Sequence, residues 1–128
     1  MIRSYFAGFL TFLLVDTLWI QFFVKETYLK YLQDILLINN NQLSARLLPA
    51  ILFYILFYNC LFYLSVVKTN SFKEAMISSA TIGLITYGTY SFTNMAVIKD
   101  WNWTLTLSDF MWGPVLTLIT TAVAKKLQ

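Results

Sequence analysis

Charge is confined to a few places in this chain, and the runs between them are long and apolar. Only 12% of the 128 residues are charged, while 59% are hydrophobic and 18% aromatic. Runs of about 20 apolar residues match the thickness of a bilayer, so the chain reads as an all-α, polytopic membrane protein. Its spans are expected at about 4–24, 47–67, 74–98 and 105–124, as four transmembrane helices in a compact bundle forming one domain over 1–128.

The first run begins after Arg3 and ends at Lys25. It is longer than a signal-peptide core and lacks a small-residue cleavage site, so it reads as a retained span. Asp16 lies near its middle, with Tyr5, Phe9, Phe12, Trp19 and Phe23 on the same helical face. Residues 25–46 form the longest connection, in which Tyr28, Tyr31 and Leu32 favour a short interfacial helix and Asn39–Asn41 a break. Pro49 is tolerated in the first turn of the second span, whose one strongly polar interior residue is Asn59. Trp101 and Trp103 suit an interfacial belt before the fourth span. That span cannot begin at Pro114, because the remaining 11 residues would reach only about 16 Å. Asp109 is therefore expected within the helix, with Pro114 as a kink.

The third run is the most informative. Thr86, Tyr87, Tyr90, Thr93 and Asn94 fall on one helical face at about 100° per residue, and Ala75, Ser79 and Gly83 extend it backwards. Ile77, Leu84, Ile85, Phe92 and Met95 fall opposite, toward lipid. Hydrocarbon offers hydroxyls no partner, so the polar face must turn toward other helices or a wet cavity.

Counted from the loop-rich side, Asp16 and Tyr90 are each about 12 Å deep, and Asn94 and Asp109 about 6 Å. Residues of three helices thus share one half of the membrane and suggest a polar pocket opening outward. Its expected members are Asp16, Trp19, Asn59, Thr86, Tyr87, Tyr90, Asn94, Asp109 and Trp112. Asp16 has no cation nearby in sequence, must face inward, and is the protonatable group, expected to donate to Tyr90 or Asn94. Asp109 lies early in its helix, where the dipole favours an anion, and Lys99 is placed to reach toward it. Asp16-x-x-Trp19 and Asp109-x-x-Trp112 repeat one spacing, which sets each Trp a turn from its Asp.

Absences narrow the function. The chain has no histidine and one cysteine, Cys60, which excludes internal disulfides, His-based triads and most zinc or haem ligation. Cys60 is expected to be a small buried hydrophobe. No metal or cofactor is expected. The net charge of +3 comes from lysines at the ends of apolar runs, which suits lipid headgroups and gives no nucleic-acid stripe. Arg3, Lys68, Lys73, Lys125 and Lys126 lie on one side and Lys25, Lys30, Arg46 and Lys99 on the other. This places both termini in the cytoplasm, with the chain multi-pass in the inner cell membrane.

Four motifs together carry a resemblance. They are Asp16-x-x-Trp19, Pro49-Ala-x-x-Phe53-Tyr54, Thr89-Tyr90-Ser91-Phe92-Thr93-Asn94 and Asp109-x-x-Trp112-Gly113. The chain resembles domain of unknown function family 2177, small bacterial membrane proteins, over nearly its whole length. That family usually reads T-Y-D-L-T-N in the third motif, where this chain has Ser91 and Phe92. The resemblance implies a four-helix integral membrane protein and brings no activity with it.

The leading expectation is a non-enzymatic membrane protein whose pocket binds or passes a small ligand or proton. A membrane enzyme using paired carboxylates on a lipid-like substrate is an alternative, though no nucleophile motif accompanies it. A structural or assembly subunit packing a partner helix is another. Expected partners are the lipid bilayer and the small-molecule or proton ligand, with a homo-oligomer left open.

Overall fold

The computed structural model describes residues 1–40 and 42–128. It consists of four long helical rods and a two-residue hairpin. The first rod is α1 (Ile2–Trp19), a π-helical segment (Ile20–Val24) and α2 (Lys25–Leu32) without interruption. A small hairpin, β1 (Ile38–Asn39) with β2 (Gln42–Leu43), fills the long connection. The second rod is α3 (Leu47–Phe62) with a π-helical end (Tyr63–Val67), followed by α4 (Phe72–Val97) and α5 (Trp103–Lys126).

The first rod departs from expectation. Residues 25–32 continue it instead of forming a separate interfacial helix. No Gly or Pro stands between Asp16 and Leu32 to stop a helix. The wide turn absorbs the change, with the Lys25 N–H bonding the Ile20 carbonyl five residues back. The expected break at Asn39–Asn41 appears as the hairpin turn, where Asn40 has φ 51°; Asn41 lies outside the described residues.

Three rods are long and apolar enough to cross a membrane: Ile2–Leu32, Leu47–Val67 and Trp103–Lys126. Helix α4 has 26 residues, so it has the length, about 39 Å, but not the apolar composition. Its glycines Gly83 and Gly88 face α5, its main packing partner. Gly83 and Gly113 meet back to back: a Cβ on Gly83 would lie 2.6 Å from the Gly113 carbonyl oxygen. One turn away the Thr117 hydroxyl donates to the Ser79 carbonyl at 2.7 Å. Small residues let the two backbones close up where lipid gives no hydrophobic drive between helices. Ala75, Ser79 and Gly83 are buried as their face required, and Ile77, Leu84 and Ile85 are exposed.

Met95 is a correction. It packs against Leu32, Trp101 and Leu105 and lies 3.2 Å from the Thr106 hydroxyl, because α2 and the 98–102 link fold over that end of α4. Trp101, within that link, is another: it is 6% exposed, packed with Leu32 and Leu105, and of the two tryptophans Trp103, at 60%, is the one free to sit in an interfacial belt. Cys60 is exposed on the outer face of α3 and not buried, since Phe57, Tyr58, Leu61 and Phe62 take the inner face.

The main core joins Phe12, Phe57, Tyr58, Phe62, Val66 and Leu116 between α1, α3 and α5. The starts of α4 and α5 are closed by side-chain caps. Ser71 accepts the Glu74 N–H and Asn102 accepts the Leu105 N–H. At the other end Lys125 Nζ donates to the Val66 and Thr69 carbonyls at 2.9 and 2.8 Å, tying α5 to the π-helical end of the second rod. Outward faces remain apolar and uncovered by this chain. Phe6, Leu10, Leu14, Leu18 and Phe22 make such a stripe along the first rod.

Candidate functional site

Asp16 and Asp109 are 6% and 4% exposed, deep among helices, so each must be satisfied by its neighbours. Asp16 projects from α1 toward α3 and α5. Its Oδ2 accepts the Tyr54 hydroxyl at 2.6 Å and its Oδ1 the Trp112 indole N–H at 3.2 Å. This corrects the expectation that Tyr90 or Asn94 would be its partner. An indole nitrogen can only donate, so at least this oxygen of Asp16 serves as an acceptor.

Asp109, on the second turn of α5, accepts the hydroxyl of Tyr28. The Tyr28 hydroxyl also lies 3.5 Å from that of Tyr90. Lys99, expected to reach toward Asp109, is exposed at the end of α4 instead. Tyr28 reaches this place because of the π-helical turn. It follows Asp16 by 12 residues, which at a uniform α-helical pitch would leave it about 120° round the rod. The wide turn takes up about one extra residue and brings it back by about 100°. Asp16 and Tyr28 therefore face the same side.

The two Asp-x-x-Trp motifs meet here. Trp19 and Trp112 stack with centroids 4.4 Å apart and planes 4° apart, while Trp112 bonds the carboxylate of the other motif. Trp101 packs edge-on to both Tyr28 and Tyr90, with centroids 5.5 and 5.6 Å away.

Between these groups lies a cleft of about 390 Å³. Asp16, Trp19, Thr86, Tyr87, Tyr90, Asp109 and Trp112 all line it. Two expected members lie elsewhere. Asn59 faces the start of α1, accepting the Tyr5 hydroxyl at 3.0 Å and donating to the Ile55 carbonyl at 2.7 Å. Asn94 stands a turn beyond Tyr90, at the last turn of α4 and outside the lining. Ile20, Val24, Tyr28, Phe53 and Tyr54 complete the walls. Phe53 and Tyr54 were visible only as part of a family motif. Tyr28 carried no signal, since nothing local marks a wide turn. Among the described residues, no three His, Cys, Asp or Glu side chains come together to hold a metal.

Asp16, Trp19, Phe53, Tyr54, Tyr90, Asp109 and Trp112 of this cleft come from the motifs that carry the family resemblance, and comparison with protein families matches residues 1–125 to the one described as "Predicted membrane protein (DUF2177)". The chain belongs to that family. Neither the comparison with curated proteins nor that with solved structures gave a match. Family membership and three long apolar rods together make this a membrane protein of helical architecture. In the third motif Ser91 is fully buried, and among the described residues its hydroxyl has no partner.

Proposed function

We propose that this protein crosses the inner membrane four times, with both termini cytoplasmic, and that its cleft binds or passes a small ligand or proton without catalysing a reaction on it. Helix α4 serves as the third span in chain order, its small and polar side turned to α5 and the cleft, its outer side carrying Ile77, Leu84 and Ile85 into lipid. The observation that carries the reading is the cleft itself: two buried carboxylates, from α1 and α5, open onto one space of about 390 Å³. Small-molecule sites begin at roughly 300 Å³, mostly apolar with a few convergent polar groups. Buried ionisable groups in membrane helices commonly mark a ligand or ion path.

Water-soluble thiol reagents test it. In a Cys60→Ala background, Thr86→Cys on the cleft wall should react with a charged methanethiosulfonate, and Leu84→Cys should not. An unreactive Thr86→Cys would show that the cleft is closed to water-borne ligands and would overturn the reading.

A further inference from the structure

We infer that the ligand of this cleft is a small organic cation, an ammonium group carried on an apolar body. The inference rests on the cleft being a ligand site and names the class it takes. The walls are aromatic: Trp19, Tyr28, Phe53, Tyr87, Tyr90 and Trp112. A ring face carries negative potential, which attracts a cation within about 6 Å and offers an anion nothing; Trp19, whose two faces are taken by Phe23 and Trp112, contributes apolar surface instead. Three lining side chains besides the tyrosines and tryptophans are polar: Asp16, Asp109 and Thr86. None of the described residues lining the cleft is basic, and the chain contains no histidine.

Two carboxylates in one low-dielectric space, with only hydroxyl and indole donors around them, lack a positive partner from the protein. A cationic ligand supplies that charge; a neutral one leaves it missing, and an anionic one adds repulsion. The hydrogen-bond pattern fits the same class. Tyr54 and Trp112 together engage both oxygens of Asp16, whereas among the described residues the one hydrogen bond of Asp109 is from Tyr28 to Oδ2. Asp109 thus keeps an oxygen for an ammonium N–H, and Trp19, held between Phe23 and Trp112, gives the apolar body fixed apolar surface.

The test is isothermal titration of the purified full chain in maltoside micelles, each run corrected against protein-free micelles. The probes share one body: 2-phenylethylammonium, 2-phenylethanol and 3-phenylpropionate, with benzyltrimethylammonium as a permanent cation lacking N–H groups. The ammonium should bind at least tenfold tighter than the alcohol, and the propionate weakest. Asp109→Asn should erase that preference. Tyr90→Leu, at a half-exposed position, should weaken both cations severalfold while leaving the alcohol unchanged. Equal or tighter binding of the alcohol or the propionate would overturn the cationic class and leave the ligand site standing. No binding by any probe would also overturn it; an unreactive Thr86→Cys would then remove the site as well.

Discussion

The Trp112 indole donates to Asp16 Oδ1 at 3.2 Å. The two residues lie 96 positions apart in the chain. This bond, with the Tyr54 hydroxyl on the other oxygen, ties α1, α3 and α5 together at the level of the cleft. It also accounts for the repeated Asp-x-x-Trp spacing: each Trp sits a turn from its own Asp, so stacking the two indoles brings one carboxylate within reach of the opposite motif.

Asp16→Leu is therefore expected to be costly. It strands the Tyr54 hydroxyl and the Trp112 N–H in a buried site, at about 1–3 kcal/mol for each unsatisfied group. Asp16→Asn keeps one acceptor oxygen at similar volume and should lose less. Thermal unfolding in detergent should rank wild type above Asn and Asn above Leu; the reverse order of the two variants would contradict the hydrogen bonding described.

Gly83→Ala should destabilise by about 1–3 kcal/mol, the usual cost of overpacking. The new Cβ would face a carbonyl oxygen and the Thr117 hydroxyl at 2.6 Å each, and the backbone cannot turn aside. Gly88→Ala should cost less, because its new neighbour is the Phe110 ring at 3.1 Å, which can shift. Comparing the two melting temperatures checks the α4–α5 contact.

Tyr28→Phe removes the hydroxyl donated to Asp109 and lost ground should follow, about 1–3 kcal/mol for a buried carboxylate left short of a partner. Tyr31→Phe on the same short helix, with no such bond, serves as the control. Equal melting temperatures for the two variants would mean that Tyr28 does not reach Asp109 and that the first rod lacks its wide turn.

Labelling from within the bilayer by a lipophilic probe should mark cysteines placed at Leu84 and Ile85 and spare one placed at Met95. Strong labelling at 95 would show that α2 and the 98–102 link do not cover that end of α4.

Reporter fusions at residue 70 and at the C-terminus should read cytoplasmic, and one at residue 40 should not. A cytoplasmic reading at residue 40 would reverse the proposed orientation.

Much of the cleft was legible before any coordinates. The polar face of α4 follows from 3.6-residue periodicity, and Thr86, Tyr87 and Tyr90 do line the cleft. Asp16 and Asp109 announce themselves as carboxylates in apolar runs. Asn59 looked equivalent on the same ground, yet it spends its amide on its own helix and on Tyr5. A polar residue in a span signals only that it needs partners. Whether those partners form a cavity depends on which helices stand opposite.

What the sequence determined by itself is everything governed by local period and by solvent: helical rods, a membrane setting, and the inward turn of Ala75, Ser79 and Gly83. Which partner each buried group takes was decided by the tertiary structure alone. The approach of Gly83 to Gly113 sets the spacing of α4 and α5. The wide turn at Ile20–Val24 swings Tyr28 onto Asp109, and the folded link buries Trp101 over the site. Periodicity gives a side chain its direction round one helix, whereas a hydrogen bond needs two helices at a definite rotation and distance, which only their packing supplies.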